Sequence, residues 1–180
     1  MNARDSKGFT LIELLIVVAI IGIIAAIAVP GLIRARMSGN EASGLGSLRA
    51  INSGQASYSS SCAAGGYATD LADLVKAPVS GGQGFISPDL SVNDVVKSGY
   101  KVKLDKDAGG TPAGGQPIGA PGDVCNGTQA WSSYYASAVP VAFNGTGTKS
   151  FATDTRSTIF FANLPTPPPN PIPANATPFQ

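Results

Sequence analysis

Residues able to do chemistry are few in this 180-residue chain, and their positions limit its function. One carboxylate, Glu13, lies near the start of an apolar run that continues to Val29. The two cysteines, Cys62 and Cys125, both follow that run, and the chain has no histidine. Without histidine, Ser-His-Asp and Cys-His catalysis and His-ligated zinc or haem are excluded. The sequence therefore predicts that the protein is not an enzyme.

Other patterns of reactive residues are incomplete. Asp105 and Asp107 precede two glycines in the manner of a calcium loop, but no glutamate follows at the required spacing. There is no phosphate loop, dinucleotide fingerprint or nucleophile elbow. With 12 basic and 11 acidic residues, the chain has no excess of positive charge to attract nucleic acid. We expect no metal, no cofactor and no nucleic-acid partner.

The cysteines offer a disulfide. A bond between Cys62 and Cys125 would close a loop of about sixty residues and stabilise the fold by roughly 4 kcal/mol. It requires an oxidising compartment on the far side of the apolar run. The alternative is two unpaired thiols in a small apolar environment. Neither a Cys-x-x-Cys spacing nor a metal-ligand cluster competes for the two residues, which favours the disulfide.

The apolar run must position Glu13, and it is long enough to cross a membrane. About twenty residues, from Phe9 to Val29, match a hydrocarbon core of ~30 Å. Basic residues before the run favour a cytoplasmic N-terminus, although Arg34 and Arg36 beyond it oppose that orientation. A secretory signal cleaved after Ala28 is the alternative. Glu13 inside the run and the helical pattern beyond it argue against such a signal.

The sequence from Lys7 to Leu14, Lys-Gly-Phe-Thr-Leu-Ile-Glu-Leu, resembles the processing motif of type IV pilins and of the related type II secretion pseudopilins. The resemblance implies that a membrane-embedded prepilin peptidase cuts between Gly8 and Phe9 and N-methylates Phe9. Glu13 and Pro30 match the glutamate and the helix-bending proline of the family. The similarity extends from Lys7 to about Tyr58.

A charge at mid-bilayer costs roughly 2.5–3.5 kcal/mol, so Glu13 needs a partner or a function. Cleavage would create an ammonium group at Phe9, and in a fibre the Phe9 ammonium of a neighbouring copy can pair with Glu13 and set the axial register. The alternative is a glutamate that extends to the lipid headgroups. Gly8 has no side chain, which lets a protease approach its backbone.

The helical pattern continues beyond the span. Pro30-Gly31 predicts a kink rather than an end, and the pattern resumes from Leu32 to Tyr58. Two faces result. The large apolar residues of one face suit burial under a sheet: Ile33, Met37, Leu48, Ile51 and Tyr58, with Leu45 between the faces. The opposite face has small residues that either meet neighbouring copies or face solvent: Ala35, Gly39, Ala42, Ser43, Gly46, Ala50, Ser53 and Ser57.

After the helix, 22 glycines and 14 prolines in the whole chain favour a loop-rich β head. We expect a short helix from Asp70 to Lys76, with Thr69 or Asp70 as its cap, and a surface loop from Pro78 to Asp94. Four strands are predicted, over Tyr100–Leu104, Trp131–Val141, Lys149–Asp154 and Ser157–Asn163. The tail from Leu164 is proline-rich, and we expect it to be solvated.

The predicted fold is α+β, a type IV pilin-like long N-terminal helix packed on a four-stranded antiparallel sheet. Its segments are a cleaved leader (1–8), a membrane-spanning half-helix (9–30), an amphipathic half-helix (31–60), a β head (61–163) and the tail (164–180). The resemblance implies a structural subunit of a type IV pilus whose partners are the prepilin peptidase, other copies of the chain and the inner-membrane assembly machinery. It implies an inner-membrane precursor with its head outside the cytoplasm, then a cell-surface fibre. A type II secretion pseudopilin and a secreted or anchored binding module are the alternatives.

Overall fold

The computed structural model describes residues 8–109 and 114–179. These residues divide into two compact units, with the boundary between Arg36 and Met37. Residues 1–7, which make up most of the predicted leader, lie outside the described residues.

Helix α1 runs from Leu11 to Ser61 and contains Pro30, so the Pro30-Gly31 pair does not end the helix. Its first part includes a stretch long and apolar enough to cross a membrane, and none of that stretch is buried in the structure. Large apolar side chains from Leu11 to Ile33 are exposed on every side of the helix. A helix that is apolar all round suits a lipid or protein surround better than water.

The second part of α1 packs on the head through the predicted apolar face. Leu48, Ile51 and Tyr58 are fully buried, and Leu45 is nearly so. Ile33, predicted on the same face, is exposed within the first unit. Two hydrogen bonds add a contact that the hydrophobic pattern does not reveal. The fully buried Gln55 donates from Nε2 to the Ala68 carbonyl (2.6 Å) and accepts from the Ala68 amide (3.0 Å).

Two glycines on the buried side of α1 allow the helix to approach the head closely. A Cβ added to Gly44 would lie 2.9 Å from the Tyr100 ring, and one added to Gly54 would lie 3.0 Å from the Phe85 carbonyl oxygen and closer still to Ile86. By contrast, Gly39 and Gly46 have open space where a Cβ would stand. Glycine costs a helix about 1 kcal/mol relative to alanine. At Gly44 and Gly54, the close packing against the head that glycine allows offsets this loss of helix stability.

The main sheet confirms the α+β class but has five strands rather than the predicted four. Its strands are β1 (Val95–Lys97), β2 (Tyr100–Asp105), β5 (Tyr135–Pro140), β6 (Ser150–Asp154) and β7 (Ile159–Ala162). All neighbours are antiparallel, in the order β1-β2-β5-β6-β7. A separate small sheet pairs β3 (Pro117–Ile118) with β4 (Ala130–Trp131).

Strand β1 was missed because it is only three residues long and follows a loop without periodicity. A tight turn joins it to β2, with Ser98 and Gly99 at positive φ (47° and 72°). Next to the strand, the Asn93 side chain donates to the Leu104 carbonyl (2.9 Å) and accepts from the Leu104 amide (2.8 Å). A side chain thus extends the pairing beyond β1, which hydrophobic periodicity cannot indicate.

The other predicted strands lie where they were expected, except that one of them is divided into two. Predicted as one strand, Trp131–Val141 is split between β4 in the small sheet and β5 in the main sheet. The hairpin of β6 and β7 is confirmed, and Ser157 in its turn has φ of 58° and donates its amide hydrogen to the Asp154 carbonyl (2.8 Å). Helix α2 (Leu71–Val75) is capped by Asp70, whose Oδ1 accepts from the Ala72 amide (2.9 Å).

The predicted disulfide is present between Cys62 and Cys125, whose Cα atoms are 4.8 Å apart. The Cys125 amide also donates to the Cys62 carbonyl (3.1 Å), and the Cys125 carbonyl accepts from the Val79 amide (2.8 Å). The bond therefore ties the segment that follows α1 to two loops of the head.

Most of the described residues of the proline-rich tail, 164–179, are exposed as expected, but a few of them pack on the sheet, which was not expected. The Phe179 ring packs edge-to-face on Phe151 (5.6 Å between centroids) and Phe161 (5.9 Å). Ile172 is buried with Tyr135 and Phe160 on the opposite face of the sheet. The prolines limit the donors that the tail can offer, but the few apolar residues between them fill sites on the sheet that exist only after folding.

We expect that replacing Cys62 and Cys125 together by serine lowers the free energy of unfolding by roughly 4 kcal/mol, because the unfolded chain regains the entropy of a 63-residue loop. Urea denaturation of the full chain in detergent micelles measures the change. Wild-type protein treated with a reductant should unfold at the midpoint of the double variant. An unchanged midpoint in both samples would contradict the prediction.

The two kinds of helix glycine predict opposite effects of the same substitution. Gly54→Ala should lower stability by about 1–3 kcal/mol, because the new methyl group overlaps Ile86 and the Phe85 carbonyl. Gly46→Ala, on the same helix but in open space, should raise it by up to about 1 kcal/mol. Denaturation of the two variants side by side tests the packing. Equal shifts would show that close approach does not explain Gly54.

Candidate processing and assembly site

The residues of the predicted cleavage site lie at the start of the described chain. Gly8, Phe9 and Thr10 precede α1, and 88% of Phe9 is exposed. A Cβ built on Gly8 would meet nothing within 4 Å. The fold itself therefore has room for a side chain at this position. If Gly8 is required, the reason lies in a molecule that acts on this segment.

Glu13 has partners within its own chain, which the sequence analysis missed. The Thr10 hydroxyl donates to Glu13 Oε2 (2.6 Å), and the Thr10 amide donates to the same oxygen (3.0 Å). In return, Thr10 Oγ1 accepts from the Glu13 amide (3.3 Å). This reciprocal arrangement is a capping box, which satisfies backbone donors at the first turn of a helix. The spacing Thr-x-x-Glu before an apolar run is the signal that could have revealed it.

The capping box leaves part of the Glu13 carboxylate available. Both hydrogen bonds that it accepts from described residues go to Oε2. A negative group in the first turn is also favoured by the helix dipole. Glu13 can therefore cap its own helix and still present Oε1 to a cation. The predicted pairing with the Phe9 ammonium of a neighbour stays a prediction, and Thr10 joins the candidate residues.

Pro30, also predicted to act in assembly, is far from this first turn. It follows Glu13 on the same helix by about 25 Å, at roughly 1.5 Å per residue. One chain therefore does not bring Phe9, Glu13 and Pro30 into a single site. Any role they share in assembly must operate along the length of the helix.

The ionisable side chains of the described head lie apart from one another or form pairs. No group of three potential metal-ligating side chains occurs there. A groove lined by Val75 and residues 83–88 has no ionisable side chain, whereas two other grooves are lined by Arg49 and by Lys103 with Asp105. Glu41, the half-buried carboxylate of α1, accepts hydrogen bonds from the Thr148 amide and hydroxyl (both 2.8 Å) and lies 3.3 Å from Lys149 Nζ. Although burial opposes it, these contacts lower the Glu41 pKa, so the group acts as a structural anion.

The N-terminal segment of the chain is similar in sequence to known proteins. The profile described as a prokaryotic N-terminal methylation motif matches residues 3–29. A protein of Thermus thermophilus named as the type IV wide pilus major component PilA4 is 60% identical over 38 residues, which are 21% of this chain and 29% of the relative. The type IV major pilin protein PilA of Myxococcus xanthus is 47% identical over 57 residues, or 32% of this chain and 26% of the relative.

A fimbrial protein of Pseudomonas aeruginosa is 88% identical over 27 residues, which are 15% of this chain and 18% of that protein. The matched part thus spans less than a third of the length of each relative. No solved structure matches the chain. The N-terminal segment therefore carries the methylation motif and is similar in sequence to the N-terminal segments of type IV pilins.

Proposed function

We propose that this chain is the precursor of a structural subunit of a type IV pilus. It is inserted in the inner membrane by the apolar part of α1, cleaved between Gly8 and Phe9, methylated at Phe9 and then polymerised through α1. The observation that carries the proposal is the joint occurrence of the methylation motif and an apolar helix that the chain itself leaves unburied. Such a helix needs lipid or other helices around it.

The cleavage step is supported by the position of Gly8. It lies two residues before the capping residue of α1, and nothing in the structure occupies the space beside it. A prepilin peptidase would therefore meet a non-helical, uncrowded backbone immediately outside the helix. Cleavage leaves Thr10 and its contacts to Glu13 within the mature chain, so the first turn of α1 stays capped.

The assembly step depends on how the helices of different copies meet. The Phe9 ammonium of one copy would bind Oε1 of Glu13 in its neighbour, since a carboxylate that has hydrogen bonds but no opposite charge beside it is still costly in an apolar fibre core. The small-residue face supports close contact beyond the membrane-spanning part. Gly39 and Gly46 lie on that face, and neither has an intramolecular neighbour that requires glycine. We propose that their role is to admit a helix of another copy.

Location follows from the same elements. The apolar half-helix (9–30) anchors the precursor with its N-terminus in the cytoplasm, and the head folds outside, where the Cys62–Cys125 bond can form. The other partners are the assembly machinery of the inner membrane and, in the fibre, identical copies. The disulfide favours a pilin over a calcium-stabilised pseudopilin of type II secretion.

The mature N-terminus tests the processing step. Mass spectrometry of protein from cells with an active prepilin peptidase should find a chain that begins at Phe9 and carries one added methyl group. Gly8→Val should leave the precursor uncut, because a branched side chain blocks the peptidase from the backbone. Gly22→Val, at another glycine with open space around it, is the matched control and should be cleaved normally. A mature chain that begins after Ala28, or one that retains Met1, would refute the proposal.

Two substitutions separate the capping role of Glu13 from its assembly role. Glu13→Val should insert in the membrane at least as well as the wild type, since it removes a charge. Its yield of sheared fibres should fall at least about tenfold, because the Phe9 ammonium of the neighbouring copy loses its partner. Thr10→Val removes the capping hydroxyl but keeps the carboxylate, and its fibre yield should stay within about threefold of the wild type.

Fibre yield should be measured by electron microscopy and immunoblotting of the sheared fraction, with the amount of mature protein in the membrane as reference. Equal losses in the two variants would mean that Glu13 acts as a helix cap. Normal yield with Glu13→Val would mean that the carboxylate merely reaches the headgroups.

A further inference from the structure

The two edges of the five-stranded sheet are protected in different ways. Strand β1 forms one edge, is three residues long, and carries Lys97, which pairs with Asp89. Short length and charge are common means by which proteins keep a sheet edge from pairing with another chain. Strand β7 forms the other edge, and its sequence, Ile-Phe-Phe-Ala, has neither charge nor proline. By itself, this edge would be open to pairing.

The tail covers the β7 edge. The Phe161 amide donates to the Thr177 carbonyl (3.1 Å), and the Ile159 carbonyl accepts from the Phe179 amide (2.8 Å). These contacts form an antiparallel bridge between Phe160 and Pro178. The Phe179 ring then fills a site between Phe151 and Phe161. The tail thus occupies the outward-facing hydrogen-bonding groups of Ile159 and Phe161 and the apolar site beside them.

Specific contacts hold the rest of the tail on the other face of the sheet. The Tyr135 hydroxyl donates to the Pro168 carbonyl (2.5 Å), and Arg156 Nη2 donates to the Ile172 carbonyl (3.1 Å) while the same guanidinium pairs with the buried Asp154. Asn170 donates to the Lys106 carbonyl (2.8 Å) and accepts from the Ala108 amide (2.7 Å). We call residues 164–179 the C-terminal clasp.

We infer that the β7 edge is a self-pairing surface for a second copy of this chain and that the C-terminal clasp keeps it closed. The clasp itself demonstrates that the edge accepts an antiparallel strand. Two β7 strands related by a twofold axis would meet in the same antiparallel sense, with the Phe161 amides and Ile159 carbonyls as donors and acceptors. Neither strand carries a charge that would oppose the contact.

This inference rests on the proposed function, in which copies associate through α1. Closing the β7 edge prevents head-to-head pairing, so that α1 remains the surface for assembly. The clasp is held by hydrogen bonds and by two apolar anchors, Phe179 and Ile172, and not by a disulfide, because the two cysteines are joined to each other elsewhere. A substitution of Phe179 should therefore release the end of the clasp, which covers the β7 edge, while Ile172 and its neighbours stay in place.

Phe179→Ala tests the clasp in the full chain purified in detergent micelles. Hydrogen exchange should show the Phe161 amide exchanging at least about tenfold faster, while the amides of β2 keep their protection. Light scattering should show dimers that increase with protein concentration. Leu164→Ala is the matched control, because its side chain is in the same tail but 57% exposed, and it should behave as the wild type. Tyr135→Phe loses the hydroxyl bond to Pro168 and should give a smaller increase in the same exchange rate.

Unchanged protection of Phe161 in both Phe179→Ala and Tyr135→Phe would refute the clasp. Fast exchange without dimers over a wide concentration range would refute the self-pairing surface. If Phe179→Ala unfolds and β2 loses its protection, Tyr135→Phe decides the result. None of these measurements requires cleavage or fibres, so failure of the clasp and failure of the pilin proposal give different results.

Discussion

Close packing of α1 against the sheet is the constraint on which the rest of the head depends. Gly44 and Gly54 bring the helix within contact of Tyr100 and of the Phe85 backbone, where any larger side chain would overlap. Once the helix is that close, the hydrogen bonds between Gln55 and Ala68 can form in a fully buried position. These contacts explain why a helix half with several glycines persists, since its intrinsic propensity is poor.

The two parts of α1 have different patterns of exposed side chains, which suit different surroundings. From residue 37 onward the helix has one buried face and one exposed face, as expected beside a sheet. Before that point the large apolar side chains of the described residues are exposed all round. In the proposed function, lipid surrounds this part of the helix in the membrane-inserted precursor, and helices of neighbouring copies surround it in the assembled fibre. Both environments are apolar, and exchange between them therefore need not cost much.

The polar groups of the N-terminal turn and of the tail follow one rule, that a group removed from water must be paired. Glu13 is paired in its own chain through Thr10, and one of its oxygens stays available for a cation. The β7 edge is paired through the tail, which leaves α1 as the proposed surface for other copies. Local pairing thus reduces the ways in which copies of the chain can associate.

The sequence alone determined the features that depend on residues close together in the chain. The motif from Lys7 to Leu14, the apolar length of the first half-helix, the buried positions Leu48, Ile51 and Tyr58, and the β6–β7 hairpin all follow from spacing and period. Only the tertiary structure decided the features that depend on distant residues. Strand β1 is too short to show a period, and Asn93 extends its pairing through a side chain. The tail reads as solvated because of its prolines, yet it is ordered by a site on the sheet that folding creates, where Phe179 meets Phe151 and Phe161.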